Sequence, residues 1–376
     1  MATAVMAAVL LPLVAAGPAS AVPPYFSDIP TNNVSGTNYL PIVGDFGGNP
    51  TDDILWYAYK GGKSSLFRAN GDGTFVTFPL SISGRNYAPL VGDFVGDARD
   101  EILWVTPGSS RATMWRFDQP GRVYLTAPID VPVGISTFAS LPSTTADVKS
   151  RSMFMGGGTT HPIRVDTYTW PQGGDLTRTG RSYSITGDVR PVVGDLDGNG
   201  LADILFYGAG TRTDAAWFTT GAGSGTGFRM QPERINGSYA VATGSFAGAA
   251  DDVLFDGATD YLWTFDSAGA HASRPVDLGP IADKLILRGP RDVVLLWAPE
   301  DSLEVWQIAS GTQSITVTGN LPLPATYRPI VGGFTGDGSA SSVFWWGPGA
   351  APERIYIPDE CAGIAAADGP DAVLAC

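Results

Sequence analysis

The sequence predicts an all-β fold, and three observations predict it. A phrase of seven or eight residues returns along the chain at intervals of about fifty residues, or about twice that. Each return is followed by short apolar runs rich in β-branched and aromatic side chains and bounded by turn residues, which is the signature of strands. No window sustains a 3.6-residue period, and the 48 Gly and 29 Pro interrupt nearly every candidate helix.

The phrase is Tyr39-Leu-Pro-Ile-Val-Gly-Asp-Phe46, and it recurs as Tyr87-Ala-Pro-Leu-Val-Gly-Asp-Phe94, Arg190-Pro-Val-Val-Gly-Asp-Leu196, Tyr239-Ala-Val-Ala-Thr-Gly-Ser-Phe246 and Tyr327-Arg-Pro-Ile-Val-Gly-Gly-Phe334. The shared glycines Gly44, Gly92, Gly194, Gly244 and Gly332 are 48, 102, 50 and 88 residues apart. Each long gap hides one degenerate unit, near Phe138-Ala-Ser-Leu141 and near Leu285-Ile-Leu-Arg-Gly289, so the expected total is seven. Within each unit the phrase is a first strand. A second follows a polar loop: Ile54–Tyr57, Ile102–Val105, Met153–Met155, Ile204–Tyr207, Val253–Phe255, Val293–Trp297 and Val343–Trp346. A third and a fourth complete the unit, as in Ala112–Phe117 and Phe75–Ile82. Units of four strands and about fifty residues predict a seven-bladed β-propeller with antiparallel blades. One such blade cannot bury both faces alone; neighbours cover them, and closing the ring leaves no terminal blade exposed. An open solenoid or two sandwiches would share the strand pattern. Closure is favoured because unit seven ends after its third run, Glu353–Ile357, while Phe26–Gly36 precedes the first phrase as a fourth strand would. The N-terminal strand is therefore expected to complete blade seven.

Either side of the repeats the chain changes character. Residues 1–21 carry an apolar run ending in Ala19-Ser20-Ala21, the small-x-small pattern of a signal-peptidase site, although no Lys or Arg precedes the run. The expected division is a signal peptide over 1–21, the propeller over 22–358, and a tail over 359–376. A mature chain without a membrane span, secreted or extracellular, follows from this. In an oxidising compartment the tail's Cys361 and Cys376 would form a disulfide; two free thiols are the alternative.

Composition narrows the function classes. Asp and Glu number 37 against 23 Lys and Arg, a net charge of −14, so nucleic acid and anionic lipid are not expected partners. Two His and two Cys leave little material for a His-based catalyst or a Cys/His metal site. No G-x-S-x-G elbow is present, and Gly221–Gly227 lacks the Lys and strand-to-helix context of a phosphate loop. No catalytic residue is assigned. His161 and His271 read as solvated loop residues. The recurring Trp56, Trp104, Trp115, Trp217, Trp263, Trp297, Trp306 and Trp345 read as packing between blades; Trp170 and Trp346 break the register and are expected to be exposed. Asn33 and Asn236 stand in glycosylation sequons.

The chemistry-bearing segment is the loop of unit four, Asp195-Leu-Asp-Gly-Asn-Gly-Leu-Ala-Asp203. Its D-x-D-x-N-G-x-x-D spacing sets oxygen donors at alternate positions of a tight loop, as a hard cation requires; a polar hairpin of Asx turns is the alternative. On this loop and the repeated phrase the chain resembles the FG-GAP/VCBS repeat family, the blades of integrin α-chain propellers, over nearly all of residues 26–357. The resemblance implies a calcium loop, with side-chain oxygens from Asp195, Asp197, Asn199 and Asp203 and the Leu201 carbonyl. Weaker versions stand in unit one (Asp45, Asn49, Asp53, with Gly47 for the second acid) and unit two (Asp93, Asp97, Glu101, with Val95 there). The resemblance further implies extracellular recognition of a glycan or a protein surface. The alternative is a polysaccharide-acting, lyase-like enzyme using Tyr, Arg or Lys on one face, and a purely structural protein is a third reading.

Overall fold

The computed structural model describes residues 26–358 apart from short stretches at 83–86, 107–108, 120–121, 132–134, 143–150, 157–162, 171–178, 211–213, 222–226, 278–282, 288–292, 299–301, 310–311, 319–325, 337–340 and 350–351. The expected leader, Cys361, Cys376, His161 and most of the Gly-rich segment 221–227 lie outside the described residues.

The strands form seven four-stranded antiparallel sheets, each built from four runs that neighbour one another in order. The fold is an all-β propeller, and no helix occurs among the described residues. The innermost strands are Leu40–Gly44, Ala88–Gly92, Ile135–Leu141, Arg190–Gly194, Ala240–Gly244, Asp283–Leu287 and Arg328–Gly332. Each lies beside the innermost strands of the sheets before and after it, and that of the last lies beside that of the first. The two degenerate units thus carry strands where the spacing placed them. Strand Phe26–Pro30 pairs antiparallel with Arg354–Pro358, from Phe26 opposite Pro358 to Pro30 opposite Arg354, and supplies the fourth strand of blade seven.

Sequence explains the position of each layer. Second strands such as Asp53–Tyr57, Glu101–Val105, Asp203–Tyr207 and Ser342–Trp346 are buried at every residue, because neighbouring blades cover both faces; hence their continuous apolar runs. Proline recurs at the second position of innermost strands: Pro41, Pro89, Pro191 and Pro329 face Trp56, Trp104, Phe206 and Trp345. Lacking an N–H, proline fits only where the ladder needs no donor, so it suits an edge turned toward the ring axis.

The cores lie between blades. Leu55 and Tyr57 of blade one pack with Ile102, Trp104 and Phe117 of blade two, and Tyr207 and Phe218 of blade four with Phe255 and Trp263 of blade five. Trp56 and Phe67 of blade one meet Phe344, Trp346 and Ile355 of blade seven, so the junction of first and last blades is apolar like the others. Trp170 and Trp346, expected at the surface, are each 1% exposed. Trp170 turns onto the core of blade two and donates its indole N–H to Ser152 Oγ at 2.9 Å. Trp346 continues a second strand, where breaking an alternation exposes nothing because both faces are covered; its ring lies 5.2 Å from that of Trp56. His271 is on the outermost strand His271–Val276 and not in a loop, stacked on Trp263 at 3.7 Å. The side chains of Trp297 and Trp306 lie outside the described residues.

A candidate cation loop and the inter-blade clasps

The unit-four loop joins an innermost to a second strand. Positive φ at Gly198 (72°) and Gly200 (81°) lets it turn tightly, a conformation that costs a side-chain-bearing residue energy. Its carboxylates organise the backbone. Asp195 accepts from the amides of Asn199 at 2.9 Å and Gly200 at 2.8 Å. Asp203 accepts from Leu196 at 3.0 Å and Asp197 at 3.2 Å through one oxygen, and from Thr219 at 2.6 Å through the other. One carboxylate oxygen of each of Asp195, Asp197 and Asp203 lies within 4.8 Å of the others. Among the described residues, this is the group of three such side chains close enough to share a metal ion. Of the other two expected donors, Asn199 uses its Oδ1 to accept from Leu201 at 2.8 Å and its Nδ2 to donate to the Thr219 carbonyl at 2.9 Å, so it braces the loop. Leu201 enters through its amide.

The electrostatics of the triad favour a cation. The Asp197 side chain is 9% exposed, and its Oδ1 has no hydrogen-bond partner. The nearest positive charge is Arg229, 4.0 Å from its other oxygen. Burial raises the pKa of Asp195 and Asp197, and raises that of Asp203 to about 7. Crowded, desolvated carboxylates with an unpartnered oxygen are what a hard divalent ion neutralises, so these residues fit such an ion.

In blade two Asp93 accepts from Gly96, Asp97 and Ala98, reproducing the turn around Asp195, with Ala98 held at φ 63° where unit four has glycine. Here Val95 is fully buried apolar packing in place of an acid. Glu101 accepts from the Val95 amide at 3.1 Å, and burial lifts its pKa to about 9. The Arg116 guanidinium reaches Asp97 at 2.9 Å and Glu101 at 3.7 Å. In blade one Asp45 accepts from Gly48 at 2.7 Å, Asp53 accepts from Ala69 at 3.0 Å, and Asn49 receives Arg68 Nε at 3.3 Å. Burial lifts Asp45 to about 6 and Asp53 to about 7.

Two recurring devices escaped the sequence reading. The first is a reciprocal clasp between adjacent blades. The Asp45 amide donates to Asp100 Oδ2 at 3.0 Å while the Asp100 amide donates to the Asp45 carbonyl at 2.8 Å. Asp195 and Asp251 exchange the same bonds, both at 2.8 Å. So do Gly333 and Asp52, both at 2.8 Å, across the junction of blades seven and one. Between blades three and four Ala202 stands at the aspartate position, and the amide bond to Pro142 at 3.2 Å is the half that persists. The signal was present in the paired acids Asp52-Asp53, Asp100-Glu101 and Asp251-Asp252: the first reaches the previous blade, and the second is buried under its own loop. The second device is a buried acid at the start of third strands. Asp214 accepts from Gly208 and Ile235, each at 2.7 Å, and Asp260 accepts from Gly257 at 2.9 Å. Glu353 is the blade-seven counterpart by register.

No protein-family model matches the chain, and no curated protein matches it. Solved structures do. A lectin of Agrocybe aegerita that recognises non-reducing terminal N-acetylglucosamine is 14% identical, with a TM-score of 0.52 over 83% of this chain and 86% of that one. BBS1N, solved in complex with ARL6DN, is 10% identical with a TM-score of 0.50 over 90% and 98% of the two chains. A rhamnogalacturonan lyase of Bacillus licheniformis is 14% identical with a TM-score of 0.47 over 88% and 75%. At these identities what the chain shares with the first two is the fold alone.

Proposed function

We propose that the protein is a secreted, calcium-binding propeller of seven FG-GAP/VCBS-like blades that serves as an extracellular recognition module for a glycan or a protein surface. The observation that carries the calcium reading is the triad Asp195, Asp197 and Asp203, with one buried oxygen unpartnered. The ion would neutralise the three acids and rigidify the loop that also clasps blade five through Asp251. The recognition reading is supported by the fold shared with a glycan-binding lectin and by a scaffold whose strands are committed to inter-blade packing, which leaves specificity to the loops. The net charge of −14 favours a neutral or cationic partner over a polyanion.

The test has two arms. Binding of calcium to the native state raises stability by mass action, about 2.7 kcal/mol at a hundredfold excess over Kd. Wild type should therefore melt higher in calcium than in chelator, and D195A/D197A should lose that gain. Equal melting of wild type in both conditions would sink the calcium site. In the second arm a glycan array should show binding without turnover; depolymerisation of a polysaccharide, lost on changing one Tyr, Arg or Lys, would establish the enzyme reading instead.

A further inference from the structure

Blades two and four place the same loop in the same conformation over different cations. Register fixes the comparison. Ile102 of blade two faces Trp115 and Ile204 of blade four faces Trp217, so the next residues, Arg116 and Phe218, are equivalent; in blades one and five the position holds Arg68 and Thr264. From this position Arg116 projects under the blade-two loop. Its side chain is 8% exposed, Glu101 is 1% exposed, and its charge meets Asp97 and Glu101, which align with Asn199 and Asp203. In blade four Phe218 supplies no charge, and the nearest guanidinium, Arg229, belongs to the outermost strand, lies over the Phe218 ring at 4.2 Å and is 39% exposed.

We propose that Arg116 is a resident cation that takes the place of a metal ion in the blade-two loop, so that this loop folds without calcium while the blade-four loop, with Phe218 at the same position, depends on it. A guanidinium delivers one permanent positive charge and several fixed donors, and it cannot dissociate. It meets two acids of its loop, Asp97 and Glu101, the second standing where Asp203 joins the blade-four triad. Ala98 at positive φ fits this account: the turn of a cation loop is kept where glycine has been replaced. Arg68, at 3.3 Å from Asn49, places the same charge in blade one. Among the fully described loops, metal dependence is thereby confined to blade four. The inference rests on the calcium reading of blade four only for the contrast, and the two can fail separately.

The experiment counts bound ions by equilibrium dialysis and by terbium luminescence on wild type, R116Q and R116Q/D93N, each also in the D195A/D197A background, with melting curves in calcium and in chelator. Wild type should bind one ion and R116Q two. D195A/D197A/R116Q should bind one and regain melting temperature on adding calcium, and D93N should remove it. R116K keeps a charge and should bind no additional ion. If R116Q folds and binds no more than wild type, or if it stays unfolded in calcium as in chelator, the inference falls. If wild type binds none while R116Q binds one, the blade-four site falls and the role of Arg116 stands.

Discussion

The junction between blades four and five and the seam between blades seven and one share their parts and differ in how the chain reaches them. Both have an apolar core between second and third strands, and both carry the reciprocal clasp, Asp195 with Asp251 and Gly333 with Asp52. At the first, the chain runs on from the outermost strand Gly227–Glu233 into the next blade. At the second, blade seven takes its outermost strand from the N-terminal end, and residues just after that strand tie on to blade one. Thr31 Oγ1 donates to the Gly73 carbonyl at 2.6 Å, and Asn32 exchanges bonds with Phe75 at 2.9 and 3.0 Å. The same packing and clasp thus serve where a blade's outermost strand is joined to its neighbour by a turn and where it is held by pairing alone. Ring closure is therefore carried by side chains and by one borrowed strand, and the seam is where the ring should open first.

The largest expected effect comes from removing that strand. Deleting residues 25–36 strips the edge Arg354–Pro358 of its partner and removes Thr31 and Asn32 from blade one. An unpaired edge over an apolar seam favours association between chains. The truncated protein should elute as aggregates, or melt far below wild type; a monomer with an unchanged midpoint would break the account of closure.

Hydrogen bonds to a charged group contribute about 1.5–3 kcal/mol net, so D52A and D251A should each lower stability by about that amount. Their hydrogen exchange should differ. Because Phe26–Pro30 and Arg354–Pro358 are held together by pairing alone, with no turn joining them, D52A should speed exchange in these two strands ahead of the rest, a sub-global opening. D251A should lower global stability without a local opening of the same depth. Identical exchange patterns would remove the distinction between the two junctions.

Much of this architecture was legible because a propeller repeats itself. The phrase ending at Gly44, Gly92, Gly194, Gly244 and Gly332 marks the innermost strands, and the continuous runs such as Ile204–Tyr207 mark strands covered on both faces. The closing strand was legible because Glu353–Ile357 lacked a successor. The cation loop was legible in part: spacing picked out Asp195, Asp197 and Asp203 as neighbours, but not the turning of Asn199 toward Thr219. Nor could it foresee Arg116, fifteen residues beyond Glu101 on another strand, since cross-strand register decides that meeting. Trp170 and Trp346 were misplaced because alternation is a rule for sheets with one solvated face, which these blades lack.

Acidity offers a further contrast, between metal-free and calcium-loaded protein. Burial raises Asp53, Asp100 and Asp203 to about 7 and Glu101 to about 9. An acid whose folded pKa exceeds its unfolded value near 4 is protonated more in the folded state. Stability then falls as pH rises through the interval between the two values. In chelator the melting temperature should decline from about pH 5 to pH 8. Calcium needs the ionised carboxylates, so its stabilising increment should be larger at pH 8 than at pH 5. A calcium increment that is equal at both pH values would separate the ion from Asp203.

The smallest effect distinguishes two buried acids at equivalent positions, Asp214 beside the junction of blades four and five and Glu353 at the seam. Asp214 uses both oxygens, one for the Gly208 amide and one for Ile235. D214N turns an NH2 group toward one of those donors and leaves it unsatisfied, a loss of about 1–3 kcal/mol. Both oxygens of Glu353 are buried without a well-formed hydrogen bond, and burial outweighs the nearby Val34 amide and raises its pKa. E353Q keeps the shape and removes the penalty of ionising a desolvated group. It should leave the midpoint unchanged or slightly raised at pH 8, and the difference from wild type should vanish as the pH falls and the carboxyl takes up its proton. Parallel chemical denaturation of D214N and E353Q at pH 8 measures the contrast. Equal losses in the two would mean that Glu353 holds the seam through its charge, and that the seam and the junction of blades four and five are stapled alike.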